Sequence, residues 1–154
     1  MFKKLFQRSN PEPEKKEYPL IPVTLQQVKQ AIFKFSKTLP KGVHVRILIK
    51  KDHSIDFEQL ASLLHGIPNR PFYMSRETYE VFEEADKHIP AYMDEVQEAV
   101  DLYIKNEKEL PIIPHDPYYK ISYYLLEKKG CLATRPPVDF YLSEQENMVS
   151  HIKQ

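Results

Sequence analysis

The sequence predicts a single α+β domain built from two similar units, each running helix, extended segment, helix and strand, that share one core. Three observations support this fold class. Apolar residues recur at helical spacing in some segments, they alternate with period two in others, and the two halves repeat the same order of signals. The chain has 154 residues, 42% of them hydrophobic, which suits one domain with a buried core.

The first unit opens with a helix and a strand. Thr24 and Gln27 have the spacing of a capping box, and apolar positions follow at helical intervals. Leu39-Pro40 ends the helix, because proline cannot continue it. Residues 43–49 then alternate apolar and polar side chains, which predicts a strand with one mostly polar face.

A short helix and a second strand complete the first unit. Asp56 is placed to cap the helix and Gly66 to close it. Residues 72–75 predict the strand, which ends in a serine. That serine either caps a further helix that runs to Lys87, or the chain returns through residues 79–82 as a hairpin.

The second unit repeats this plan. Residues 93–103 predict a helix, with Asp94 and Gln97 as a capping pair. The prolines of residues 110–114 keep that segment extended. A hairpin over residues 140–149 closes the unit. Between the extended segment and this hairpin lies a helix whose core-facing side chains are predicted to be Ile121, Tyr124 and Leu125.

We interpret the two units, about residues 19–87 and 88–154, as an internal duplication. The matching anchors are Ile21-Pro22 with Ile89-Pro90, Leu39-Pro40 with Leu110-Pro111, and Phe72-Tyr73-Met74-Ser75 with Phe140-Tyr141-Leu142-Ser143. The first and last of these pairs are both separated by 68 residues. The offset changes only between them, in predicted loops, where insertions are tolerated.

Residues 1–18 form a predicted flexible segment, basic and polar, ahead of the domain. Nothing in the sequence approaches the roughly 20 apolar residues that cross a bilayer. The start also lacks the apolar stretch of a secretory signal, so we expect a cytoplasmic location. The first turn predicts weak, reversible contact with a membrane surface through Phe2, Lys3, Lys4, Leu5 and Phe6.

Composition argues against several kinds of chemistry. The 22 basic and 22 acidic residues give no net charge, which argues against a domain-wide basic field for nucleic acid. The single cysteine, Cys131, excludes an intramolecular disulfide framework, and three glycines argue against a glycine-rich phosphate cradle. We therefore predict no catalytic residue and no cofactor. Weak binding of single-stranded nucleic acid stays an alternative, through Lys41, His44, Arg46, Lys50 and Lys51.

Two turns carry the residues of a second alternative, a small metal-binding protein or hydrolase. Asp52 and His53 lie in a turn of the first unit, and His115 and Asp116 lie in the matching turn of the second. If the turns approach each other, their nitrogen and oxygen atoms suit zinc or manganese. Aspartate also favours turns and caps for local reasons, which is the competing interpretation.

Tyrosines concentrate in the second unit and point to a protein partner. Tyrosine and arginine are enriched where proteins bind each other, because a large rigid side chain buries much area at a low cost in entropy. Tyr119 and Tyr123 share one side of the predicted helix, and Arg135 follows in a loop. We therefore predict a non-enzymatic cytoplasmic protein-interaction module that uses these three residues.

Three segments carry a family resemblance: residues 72–80, 121–128 and 139–149. In them the chain resembles a family of small uncharacterised cytoplasmic proteins of Gram-positive spore-forming bacteria, a domain of unknown function. The resemblance spans nearly the whole predicted domain. It supports the cytoplasmic location and implies no activity, cofactor or catalytic residue.

Overall fold

Four α-helices and six very short strands make up the computed structural model, which describes residues 17–153. The helices are α1 (Leu25–Thr38), α2 (Ala61–Leu64), α3 (Ile89–Glu107) and α4 (Tyr123–Lys128). The strands are β1 (Leu20–Ile21), β2 (Ile67–Pro68), β3 (Phe72–Met74), β4 (Val81–Glu83), β5 (Tyr141–Leu142) and β6 (Val149–Ser150). Three 3₁₀ helices cover Val45–Leu48, Phe57–Gln59 and Glu84–Asp86.

The strands pair in three two-stranded sheets. β1 and β2 are parallel, with Leu20 opposite Ile67. β3 and β4 form an antiparallel hairpin with Tyr73 opposite Phe82, and β5 and β6 form another with Leu142 opposite Val149. The mixture of helices and small sheets confirms the predicted α+β class.

The capping box predicted for α1 is present. The Thr24 hydroxyl accepts from Gln27 N at 3.1 Å, and Thr24 N donates to the Gln27 side chain at 2.8 Å. Val28, Ala31 and Ile32 then turn inward and are buried. The predicted start therefore sets both the cap and the buried face of this helix.

The strand predicted over residues 43–49 is wrong, because Val45–Leu48 is a 3₁₀ helix. The apolar face of that strand would not be buried, since Ile47 is 47% exposed, whereas Leu48 on the opposite face is fully buried. Within the described residues, strand-like pairing here is limited to a bridge at Ile49. The backbone therefore satisfies its hydrogen bonds locally, as a 3₁₀ helix does.

The hairpin interpretation of residues 72–83 is correct, and the helix from Ser75 to Lys87 is wrong. Ser75 is fully buried and follows β3, where its backbone N donates to Glu80 O at 3.0 Å. That bond closes the loop between β3 and β4. The hairpin buries Phe72 and Met74 of β3 and Val81 and Phe82 of β4, so the apolar residues of both strands enter the core.

The Asp94–Gln97 pair does not cap a helix, because α3 begins at Ile89, more than one turn before Asp94. Pro90 occupies the first turn, where its missing N–H is not needed, and both Ile89 and Pro90 are buried. Asp94 and Gln97 therefore lie inside the helix. Asp94 accepts from the Ser75 hydroxyl in the β3–β4 loop, and Gln97 donates to Asn147 O and accepts from Val149 N of the β5–β6 hairpin.

The residue that caps the C-terminus of α2 is His65, with φ 59°, and not the glycine that follows. Gly66 has a different role, which is to let β1 approach. A Cβ at this position would lie 2.6 Å from Ile21 Cδ1 and 2.9 Å from Pro19 O. Only glycine therefore leaves room for this contact without a shift of the chain.

The apolar core consists of two clusters, each drawn mainly from one half. The cluster of the first half is built on Val28, Ile32, Leu48, Leu60, Phe72 and Met74. The cluster of the second half is built on Met93, Val96, Val100, Tyr103, Leu126 and Phe140. Phe82 of the first half packs into the second cluster, so the halves are joined through the β3–β4 hairpin.

The same backbone hydrogen bonds occur around both hairpins. Ile55 N donates to Phe72 O at 2.9 Å, and Ile121 N donates to Phe140 O at 3.0 Å. A second matching pair is Met74 N to His53 O in the first half and Leu142 N to Tyr119 O in the second. A third pair closes the hairpin loops, with Ser75 N donating to Glu80 O and Ser143 N donating to Met148 O. These parallels support the internal duplication, which stays a prediction.

Glu80 gives the stability of the fold an expected pH dependence. Its carboxyl is half-buried, and burial raises its pKa above the ordinary value of 4.5 although His151 and Lys29 act in the opposite direction. The folded protein therefore binds this proton more tightly than the unfolded chain does. Its stabilising contribution is complete below pH 4.5 and is lost as the pH rises through the folded-state pKa.

We therefore expect Glu80→Gln to raise the melting temperature at pH 7, and the difference from wild type to shrink as the pH falls toward 4. Thermal unfolding followed by circular dichroism at both pH values measures this. Glu84→Gln, at an exposed position, is the matched control. A lower melting temperature for Glu80→Gln at pH 7 contradicts the expectation.

Candidate functional site

A cleft of about 190 Å³ lies in the second half, between the β5–β6 hairpin and the turn that precedes α4. We call it the aromatic cleft. Its lining residues are Tyr118, Tyr119, Tyr141, Leu142, Ser143, Glu144, Ser150 and Ile152. Three of these eight are tyrosines, and Tyr118 and Tyr119 are 42% and 43% exposed.

Asp116 builds the turn that presents two of the tyrosines. Its carboxylate accepts from Tyr118 N at 2.9 Å and from Lys120 N at 3.2 Å. Tyr119 between them has φ 56°, a left-handed conformation that a non-glycine residue adopts only where its surroundings hold it. The backbone of Lys120 forms an isolated antiparallel β-bridge with Tyr141, which connects the turn to the β5–β6 hairpin.

The rings of the cleft contact each other and a cation. Tyr118 and Tyr141 meet edge to face, with centroids 6.4 Å apart and ring planes at 80°. The Lys153 ammonium lies 5.2 Å from the Tyr118 centroid and 5.7 Å from the Tyr141 centroid. A cation within about 6 Å of a ring face is attracted by the negative charge of that face.

A second concavity of about 240 Å³ adjoins the aromatic cleft. It shares Tyr119, Leu142, Ser143 and Glu144 with the cleft and extends it toward Leu110 and Asn147. Leu110 is 43% exposed and Ile152, on the other side, is 58% exposed. The tyrosines therefore sit in the middle of a longer surface that mixes apolar and polar groups.

Of the three predicted partner-binding residues, only Tyr119 lines the aromatic cleft. Tyr123 lies on α4, half-buried, and its hydroxyl donates to Val138 O at 2.6 Å. Burial, and to a lesser degree the charge of Asp139, raises the pKa of that phenol. Arg135 is exposed and forms an ion pair with Glu127.

Two details of the predicted helix are wrong. Tyr119 precedes α4 and does not share a helical face with Tyr123, because the helix begins only after its cap at Ser122. Tyr124 is 60% exposed, and Leu126 takes the buried position. A six-residue helix offers too few turns for helical spacing to identify its inner face.

The predicted metal-binding residues lie in two turns with local roles. Asp52 accepts from the backbone and the hydroxyl of Ser54, which lowers the pKa of the Asp52 carboxyl. Asp116 holds the turn described above, and His115 beside it is exposed. Across residues 17–153, no group of three or more His, Cys, Asp or Glu side chains has the geometry to hold a metal ion.

His53 belongs to a polar network at the end of β3. Its Nδ1 donates to Met74 O at 3.1 Å and lies 3.6 Å from Asp94 Oδ2, while Arg76 donates to its Nε2 at 3.0 Å. Asp94 also accepts from the Ser75 hydroxyl at 2.6 Å. The Asp94 carboxylate therefore joins α3 to the loop between β3 and β4.

This network contains a serine, a histidine and a carboxylate, but not in the order that nucleophilic catalysis uses. Ser75 donates its proton to Asp94 rather than to His53, so the histidine is not placed as its base. Ser75 is also fully buried. Ser75, Arg76 and Asp94 instead form a structural junction between α3 and the β3–β4 loop, which we call the corner of the first half.

The basic side chains considered for nucleic acid do not lie along a strand. Arg46 lies in the 3₁₀ helix, hydrogen-bonded to Tyr79, which raises the pKa of the guanidinium. Lys41, His44, Lys50 and Lys51 are exposed in the segments around it. The alternating face that motivated this alternative is therefore missing from this segment.

The predicted membrane-contact residues, Phe2 to Phe6, lie outside the described residues. No helix between residues 17 and 153 combines the length and the apolar character needed to traverse a bilayer.

Sequence reasoning missed most of the aromatic cleft. Tyr118 and Tyr141 belong to the tyrosine-rich group of the second half, so their residue type was a usable signal. The contact between the two rings could not be predicted, because it depends on the packing of the β5–β6 hairpin against a turn more than 20 residues earlier in the chain. Glu144 and Ile152 carried no signal of their own.

Comparison with curated proteins and with solved structures finds no match. A family model does match, over residues 18–151, which is nearly all of the described chain and includes every residue of the aromatic cleft except Ile152. The chain belongs to the family described as "Protein of unknown function (DUF3939)".

Proposed function

We propose that this protein is a non-enzymatic interaction module that binds a segment of a partner protein in the aromatic cleft. One observation carries the proposal: three tyrosines surround one cleft, and two of them expose more than two fifths of their surface. Tyrosine is enriched in binding hot spots, because its ring buries a large area while few rotatable bonds are ordered.

The organisation of the cleft also favours binding. The carboxylate of Asp116 holds the turn of Tyr118 by two backbone hydrogen bonds, and the β5–β6 hairpin carries Tyr141. Ring positions that are set before a partner arrives reduce the entropy lost on association. A partner segment would gain contact with aromatic, aliphatic and hydroxyl groups at once.

A cytoplasmic location, and an origin in Gram-positive spore-forming bacteria, are part of the same proposal. They rest on the sequence resemblance. Weak contact of residues 1–8 with a membrane surface is compatible with this role, since three apolar side chains and three cations give only reversible attachment.

Capture of partners with the full chain as bait tests the proposal. We expect a specific protein from the native host to be retained by the wild type and retained roughly tenfold less by Tyr119→Ser, because truncation of a hot-spot ring costs more than about 1 kcal/mol. Quantitative mass spectrometry of the retained proteins measures the ratio.

Tyr124→Ser is the matched control, because Tyr124 is another tyrosine of the second half, is 60% exposed and lies outside the aromatic cleft. Thermal unfolding confirms that both variants are folded at the temperature of the capture. Equal retention by Tyr119→Ser and wild type, or equal loss in the two variants, contradicts the proposal.

A further inference from the structure

We propose that the aromatic cleft recognises a basic side chain, lysine or arginine, of its partner protein. This inference rests on the proposed function and names the chemistry of the bound segment. Three observations carry it: a cation already placed on the rings, a carboxylate on the wall, and a reversal of charge between the two halves of the chain.

The first observation is the position of Lys153. Its ammonium lies over both Tyr118 and Tyr141, at 5.2 and 5.7 Å from the two ring centroids. These rings therefore already accommodate a cation of the same chemistry as the proposed ligand. A lysine or arginine of another chain, approaching the same faces, would gain the same attraction.

The second observation is the charge on the wall of the cleft. Glu144 is the one charged side chain among the eight residues that line it, and it is exposed. The hydroxyls of Ser143 and Ser150 bind backbone groups of Gln145 and Ile152, so the charge of the wall comes from Glu144. A cation entering the cleft therefore meets aromatic faces and a carboxylate, and it competes with Lys153 for the two rings.

The third observation is the corresponding corner of the first half. The segments Tyr73-Met74-Ser75-Arg76 and Tyr141-Leu142-Ser143-Glu144 follow the same course, with Arg76 in the place of Glu144. In the first half the corner holds an acid, since Asp94 accepts from the Ser75 hydroxyl and from the backbone N of Arg76.

The side chains around the two corners differ in charge. Arg76 supplies the positive charge beside the Asp94 carboxylate in the first half, with His53 next to it, whereas Glu144 and Tyr119 occupy the matching places in the second half. In the first half the basic residue Arg76 lies beside an acidic residue, Asp94. By the same charge complementarity, Glu144 and the tyrosine rings of the second half are suited to a basic side chain. Lys153 is then an internal ligand that a partner's basic side chain would displace.

Titration of the full-length protein with short peptides tests this inference. The probes are three pentapeptides that differ at the central residue: lysine, Nε-acetyllysine or glutamate, each flanked by glycines and blocked at both ends. Binding is followed by NMR through the backbone amides. We expect the lysine peptide to shift the amides of residues 118–120, 141–144 and 150–152, and to bind roughly fivefold more tightly than the acetylated one.

Three variants make the test specific. Glu144→Gln is expected to weaken binding of the lysine peptide by about threefold, as loss of one exposed charge pair does. Lys153→Ala is expected to strengthen it by about the same factor, because the internal competitor is gone. Glu146→Gln, in the same loop but outside the cleft, is expected to leave binding unchanged.

Equal binding of the lysine, acetyllysine and glutamate peptides would overturn the inference, as would shifts confined to residues outside the aromatic cleft. If partner capture still depends on Tyr119 in that case, the cleft binds its partner by other chemistry and the proposed function stands. If capture no longer depends on Tyr119, the proposed function fails as well.

Discussion

Replacing Asp94 by alanine is expected to lower the free energy of unfolding by about 3 kcal/mol, because buried groups that lose their only acceptor cost about 1 to 3 kcal/mol each. The Asp94 carboxylate accepts from the Ser75 hydroxyl at 2.6 Å and from the backbone N of Arg76 and Glu77 at 3.1 and 3.2 Å. Ser75 is fully buried and the Asp94 side chain is only 16% exposed, so water reaches the freed donors poorly. Urea denaturation followed by circular dichroism measures the loss.

Two further variants serve as comparisons for Asp94→Ala. Glu98→Ala removes an exposed carboxylate from the same helix and is expected to change stability by less than about 0.5 kcal/mol. Asp94→Asn keeps one acceptor oxygen and is expected to fall between wild type and Asp94→Ala. If Asp94→Ala is no less stable than Glu98→Ala, the corner does not hold α3 to the β3–β4 loop.

Phe140→Ala is expected to cost about 3 to 5 kcal/mol, the range for removing a buried aromatic ring. Phe140 is fully buried in the core cluster of the second half, and its backbone O accepts from Ile121 N at 3.0 Å. It directly precedes Tyr141, so the loss of its packing also loosens the strand that forms one wall of the aromatic cleft. Denaturant unfolding measures the stability.

Tyr124→Ala is the comparison for this substitution, because it removes an aromatic ring that is 60% exposed. Its effect is expected to stay within about 0.5 kcal/mol, as for other surface positions. A cost of Phe140→Ala below about 1 kcal/mol would contradict tight packing of the β5–β6 hairpin against the core of the second half.

Local signals in the sequence were sufficient where the structure itself is local. The capping box of Thr24 and Gln27 depends on residues three apart, and it forms as expected. The hairpin of β5 and β6 joins segments separated by a short polar loop, and it was also predictable. Residues 43–49 show the opposite case, since their alternation had no neighbouring strand to pair with.

Long-range packing decided what the sequence alone could not. Asp94 has the spacing of a cap, but its partners are in a hairpin loop earlier in the chain, with Ser75 the first of them. The aromatic cleft likewise depends on the approach of Tyr118 to Tyr141, and the sequence specifies only that both are tyrosines. Of the predicted contact residues, Tyr119 alone lies in the cleft, because helical spacing was applied to a segment that is a turn.

Photo-cross-linking shows whether the aromatic cleft is the partner-binding surface. A photoreactive phenylalanine derivative is placed at Tyr119 in one full-length protein and at Tyr124 in another, and each is irradiated in the native host. We expect a cross-linked partner at position 119 that is weak or missing at position 124. The same partner at both positions with equal yield, or at 124 alone, would contradict this expectation.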